Sequence, residues 1–179
     1  MFRACVVFVA AVLTGSGGAP GAVAERPNVL LVVTDDQGYW DIRWSGNEQI
    51  DTPTMDRLAE EGVAFTRFYV GPVCAPTRAS LMTGRHYLRT GLYNTRFGGD
   101  TLGQGEIILA ELLKKAGYRT GLFGKWHLGK YAGYRPHDRG FDEFLGHYHG
   151  HIERYEYADQ LVHNGRPAHT RGYVTDLFT

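Results

Sequence analysis

Net charge is the first thing this sequence lacks: 19 Lys and Arg residues offset 19 Asp and Glu residues over 179 positions. Without an excess of one sign the chain has no general means of capturing nucleic acid or an anionic membrane, and neither is expected as a partner. Long hydrophobic runs are missing too. The longest apolar stretch, Ala4–Leu13, covers ten residues, about half of the roughly 20 needed to cross a bilayer as a helix, so no stable membrane insertion is expected. Cysteine is almost absent, with only Cys5 and Cys74. Internal repeats and low-complexity tracts are not seen after the first 24 residues. What remains is ordinary for a globular chain: 43% apolar and 21% charged residues, far from disorder, with 24 glycines that make tight turns common.

Residues 1–24 stand apart from that average. Arg3 supplies a positive charge, Ala4–Leu13 an apolar core, and Ala22-Val23-Ala24 an A-x-A cleavage pattern. Together they read as a secretory signal peptide, and Gly15, Gly17, Gly18 and Pro20 argue against a buried helix there. The expectation is export, with the globular part running over residues 25–179. Removal of the leader takes Cys5 with it and leaves Cys74 without a partner in the chain. In an oxidising compartment a single cysteine calls for pairing outside the chain, a reactive thiol, or modification.

Asn28–Thr34 is a continuous apolar run that predicts a strand buried on both faces of a parallel or mixed sheet, ending at Asp35-Asp36. Thr52-Pro53 opens a helix that Gly62 closes. Val63–Val70 is rich in β-formers and predicts a second strand. A helix follows from Pro76 to Gly84, another from about Glu106 to Ala116, and a third strand over Tyr118–Gly124. Strands alternating with helices in this order predict an α/β sheet with helices on its faces. Beyond residue 130 the pattern blurs into Gly, Tyr and His.

Sites in open α/β sheets gather at the carboxyl ends of strands. Asp35 and Asp36 follow the first strand, Cys74 the second, and Lys125 and His127 the third. Adjacent carboxylates stay ionised beside a hard cation, or one of them caps a turn. Cys74 precedes a helix whose unpaired N–H groups favour an anion, and Arg78 lies four residues on. If the third strand continues, Lys125 and His127 project from one face of it, a cation beside a titratable donor.

Cys74-Ala75-Pro76-Thr77-Arg78, followed by Leu81-Met82-Thr83-Gly84, resembles the C-x-P-x-R signature of the sulfatase family. Around it stand Pro27-Asn28-Val29, Asp35-Asp36-Gln37-Gly38, Thr52-Pro53 with Asp56-Arg57-Leu58-Ala59, Gly124-Lys125-Trp126-His127-Leu128-Gly129 and Arg139-Gly140-Phe141-Asp142, in the family's order. The resemblance covers residues 26–179 and is greatest to arylsulfatases of the arylsulfatase B type.

The resemblance implies an alkaline-phosphatase-like mixed sheet flanked by helices, incomplete in this chain. It implies that Cys74 is oxidised by a formylglycine-generating enzyme to Cα-formylglycine. One hydroxyl of the hydrated aldehyde attacks the sulfur of a sulfate ester, and the second loses its proton as sulfate leaves. Asp35, Asp36 and the residue-74 oxygen then match ligands of a calcium ion. Arg78 matches the residue that holds the hydrate, Lys125 a sulfate-binding cation, and His127 the residue that helps remove the hydrate's proton. His147, His149 and His151 lie where some sulfatases contact substrate, with His149 and His151 taken as candidate substrate-binding residues; histidines of a solvated loop are the equal alternative. A later histidine, an Asp-Asn pair and a second lysine of the family pattern are not found, so the 179-residue chain is expected to be an inactive N-terminal part. Alternatives are a formylglycine-dependent phosphonate monoester or phosphodiester hydrolase, and a non-catalytic chain that binds sulfated glycans.

Overall fold

Proline and glycine punctuate the helices much as the sequence predicts, whereas strand pairing depends on contacts that no local pattern shows. The structure, a computed structural model, describes residues 7–12, 26–96, 99–151 and 161–178. It divides into two compact units, Met1–Val70 and Gly71–Thr179.

In the first unit, β1 (Val7–Val12) and β2 (Asn28–Val33) form an antiparallel two-stranded sheet with Val9 opposite Leu31. The predicted first strand is therefore in place, but not as a strand buried on both faces. Val29, Leu30 and Val32 are 45%, 61% and 46% exposed, because a two-stranded ribbon offers no layer to cover them. Of the expected leader, only Val7–Val12 lies within the described residues. The helix α1 (Pro53–Glu61) has Pro53 in its first turn, where the missing N–H costs nothing, and Gly62 at its C-cap. Asp56 anchors its start by accepting from the Thr52 hydroxyl at 2.9 Å and the Trp44 N–H at 2.8 Å. Val63–Val70 forms no strand. Its β-formers have no partner strand among the described residues, and Val63 and Phe65 are 81% and 71% exposed. Propensity alone does not make a strand without a ladder to join.

The second unit opens with α2 (Cys74–Thr83), which begins two residues before the expected Pro76 and ends at Gly84 in the left-handed region. A short α3 (Tyr87–Thr90) and then α4 (Leu109–Lys115) follow. The mixed sheet has the order β3 (Gly121–Lys125), β4 (Glu143–His147), β5 (Val162–His163), β6 (Arg166–Pro167), with β3 and β4 parallel and the others antiparallel. Lys125 and His147 stand opposite each other at the carboxyl end of the parallel pair.

Ala75 and Ala79 of α2 are fully buried against a cluster that includes Trp126, Leu128, Leu102, Ile108 and Phe141. Two alanines four residues apart give the helix a flat face, so its first turn lies close to the chain leaving β3. The Trp126 indole donates to the Tyr134 carbonyl at 2.9 Å and meets Phe141 edge-on at 5.9 Å. Arg139 is 3% exposed and ties this layer to α4, donating to the Glu111 carboxylate at 2.9 Å and to the Glu106 carbonyl. Gly140 is required beside it: φ is +87°, and a Cβ would lie 2.8 Å from the Glu111 nitrogen. Asp142 completes the segment by accepting from the Thr120 N–H at 3.0 Å and pairing with Lys114 at 2.6 Å. The Arg139–Asp142 segment is thus a structural clasp among the described residues.

Candidate functional site

The second unit brings together residues that lie about 50 positions apart in sequence. Cys74 is the first residue of α2, after the extended N-cap Val73, and its free thiol is half-buried. Its Sγ lies 3.2 Å from His127 Nδ1. One turn further along α2, Arg78 donates from its guanidinium to the Lys125 carbonyl at 2.6 Å, linking the helix to the end of β3. Cys74, Arg78, Lys125 and His127 therefore surround one spot.

His127 does not continue the strand beside Lys125, as alternation would have it. The strand ends at Lys125, and His127 follows in the left-handed region with φ of 58°. A non-glycine residue there is uncommon, and two hydrogen bonds hold it: the Trp126 and His127 N–H groups donate to the His147 and Tyr148 carbonyls at 3.0 and 3.1 Å. The ring is only 4% exposed. Its Nε2 lies 3.4 Å from the Thr95 carbonyl. A carbonyl only accepts, so the neutral ring carries its proton on Nε2 and turns the Nδ1 lone pair toward residue 74.

Burial holds the His127 pKa below its ordinary value, helped by the positive charges of Lys125 and Arg78 and opposed by the Thr95 carbonyl and Asp100. Desolvation and nearby cations both disfavour imidazolium, so the ring is a neutral acceptor near pH 7. An acceptor nitrogen facing the side chain at position 74, with two cations alongside, can take a proton from a nucleophile and bind an anion.

Asp35 and Asp36 lie in the first unit, exposed and just beyond β2. Asp36 has φ of 56°, a conformation that Asp and Asn tolerate better than most residues. Paired carboxylates are hard oxygen donors of the kind calcium takes, which fits that ion in type. In number they fall short of a shell, and no group of three or more His, Cys, Asp or Glu residues able to hold a metal stands together among the described residues. His149 and His151 are exposed and flank Gly150, which packs on the His127 ring. His147 is 6% exposed, in the sheet itself. Thr95 and Gly150 escape a reading of the sequence, because one acts through its backbone carbonyl and the other through having no side chain. No helix of the described residues is long and apolar enough to cross a membrane.

Comparison with known proteins agrees with this arrangement of elements. The family model described as Sulfatase matches residues 27–177. N-acetylgalactosamine-6-sulfatase of Homo sapiens is 40% identical over 155 residues, 79% of this chain and 28% of that protein. Arylsulfatase G of Rattus norvegicus is 43% identical over 128 residues, 69% of this chain and 24% of that protein. The chain thus spans less than a third of the length of these relatives. Among solved structures, Ps i-CgsB in complex with k-i-k-neocarrahexaose superposes with a TM-score of 0.73 at 32% identity, over 80% of this chain and 37% of that one. BT4656 in complex with its substrate D-glucosamine-2-N,6-O-disulfate gives 0.66 at 30% identity, over 80% and 27%. A mixed sheet flanked by helices, and structural neighbours with the alkaline-phosphatase-like fold, agree with a family match over residues 27–177. The chain belongs to the sulfatase family.

Proposed function

We propose that this chain carries the nucleophile end of an enzyme that hydrolyses sulfate esters, with a sulfated glycan as substrate. One observation carries the reading: the Cys74 side chain, at the start of α2 in the pattern Cys74-Ala75-Pro76-Thr77-Arg78, faces a neutral His127 nitrogen at 3.2 Å. Position 74 is proposed to hold Cα-formylglycine, formed by a formylglycine-generating enzyme, and Asp35 and Asp36 to supply ligands of calcium. The calcium would supply Lewis-acid polarisation of a sulfate oxygen. The hydrated aldehyde would supply a hydroxyl nucleophile, with a second hydroxyl left to expel sulfate.

The chain's own residues would then act as follows. His127 Nδ1 accepts a hydroxyl proton from residue 74, and burial makes it available by keeping the ring neutral. Lys125 provides positive charge for the sulfate oxygens as negative charge shifts toward the leaving group. Arg78, held by the Lys125 carbonyl, keeps its charge beside residue 74 without swinging into solvent. The exposed imidazoles of His149 and His151 form a rim suited to polar, anionic sugars. The glycan reading is supported by the names of the relatives and by the sugars bound in the solved neighbours. Export through residues 1–24 belongs to the same proposal.

The test is mass spectrometry of the tryptic peptide Phe68–Arg78 from protein made in its natural host, beside assays on paired aryl sulfate and aryl phosphonate substrates. Formylglycine at position 74 and preference for the sulfate are expected. An intact thiol throughout, or preference for the phosphonate, refutes the proposal.

A further inference from the structure

The chemistry above uses both nitrogens of the His127 ring, and Gly150 packs over its plane. A Cβ built on Gly150 would lie 2.6 Å from Cε1, 2.8 Å from Nε2 and 3.1 Å from Nδ1 of that ring. Contacts that short do not occur between a methyl group and a ring, so a side chain at 150 would lie over the imidazole plane beside Cε1. Neither side can retreat freely. The His127 N–H is bonded to the Tyr148 carbonyl two residues before Gly150, and the Trp126 N–H to the His147 carbonyl. At its two nitrogens the ring is held by Cys74 Sγ at 3.2 Å and by the Thr95 carbonyl. The ring is 4% exposed and has no open space to turn into.

We propose that Gly150 is a positioning residue for His127: its bare backbone leaves the room in which the imidazole presents Nδ1 to the side chain at position 74. This rests on the proposed role of His127, and it adds the device that sets the ring's placement. Gly150 has no left-handed backbone angle, so a side chain there is opposed by the ring alone and not by its own conformation. A methyl group at 150 must push the imidazole aside by some tenths of an ångström to an ångström. Displacements of that size cost about 10² in rate while leaving distant substrate contacts in place.

The experiment compares Gly150→Ala with Gly103→Ala in the full matured protein. A Cβ added at Gly103 would meet nothing within 4 Å, and that residue has no left-handed φ, so it reports what an extra methyl group does in open space. Gly150→Ala is expected to lower kcat about 10²-fold with KM within about threefold, and Gly103→Ala to leave both unchanged. Each is then paired with His127→Ala, and urea midpoints are measured for the four combinations at position 150. With the ring removed, Gly150→Ala should cost no further stability. If Gly150→Ala alone fails to fold while the double variant folds, the clash is likewise with the ring. An unchanged kcat in Gly150→Ala overturns the proposal, as does an equal loss of midpoint with and without the ring, or failure of the double variant to fold. If no sulfate ester is hydrolysed but the midpoints couple, the proposed reaction falls and the Gly150–His127 contact stands.

Discussion

Arg139 offers a direct test of whether a motif shared with a family of enzymes serves chemistry or architecture. The side chain is 3% exposed and makes two bonds to α4 and the turn before it, one to the Glu111 carboxylate at 2.9 Å and one to the Glu106 carbonyl. Replacing it by methionine keeps much of the aliphatic stem and deletes both bonds. Breaking a fully buried ion pair costs about 3–5 kcal/mol, but the Glu111 side chain keeps 26% of its exposure and can rehydrate. The Glu106 carbonyl, left without its donor, adds roughly 1–2 kcal/mol. Against this, Arg139 Nη1 is already buried without a partner, so its removal returns part of a desolvation cost. The expected net loss is about 2–4 kcal/mol. Urea denaturation of Arg139→Met should show a lower midpoint at unchanged slope. At a temperature where the variant stays folded, kcat should match the parent, because Arg139 touches none of Cys74, Lys125 or His127. A fall in kcat of tenfold or more, with the midpoint unmoved, would refute the structural reading and move Arg139 into the site.

Three further outcomes are expected. Asp142, paired with Lys114 and bonded to Thr120, has its pKa lowered from 3.8 to about 2. A depressed carboxylate stabilises the fold above the unfolded pKa, so stability should decline as pH falls from about 4 toward 2, and Asp142→Asn should flatten that limb of a urea-midpoint profile. At Asp36, φ is 56°, and alanine would confuse loss of a ligand with backbone strain. Asp36→Asn tolerates the left-handed conformation and removes the charge, so it should lose bound calcium and turnover while keeping the circular dichroism of the parent; retained metal and rate would show that Asp36 is not a ligand. Gly140→Ala, with its Cβ driven against the Glu111 backbone at a positive φ, should be harder to fold than Gly103→Ala, as judged by soluble yield and melting temperature.

Much of the helical punctuation was legible in the chain itself. Pro53 as a start, and Gly84 and Gly117 as stops, bound helices because a missing N–H or a left-handed φ is a local requirement, satisfied wherever the rest of the chain goes. The third strand spans Gly121–Lys125 against the expected Tyr118–Gly124. The C-x-P-x-R pattern, with the flanking Asp, Lys and His residues, likewise marked the family. Pairing was different. The β-rich run Val63–Val70 stays irregular, since no strand among the described residues pairs with it, whereas Glu143–His147, with glycine and histidine in it, becomes β4 because β3 offers a parallel ladder. Whether His127 continued a strand or turned out of it was decided by the carbonyls of His147 and Tyr148. Which of its nitrogens carries a proton follows from the Thr95 carbonyl, 32 residues away, and its charge state from burial. Those properties depend on groups brought together only by folding, so residue type and spacing could name His127 as a candidate base, and only the tertiary structure could make it neutral and aim it at residue 74.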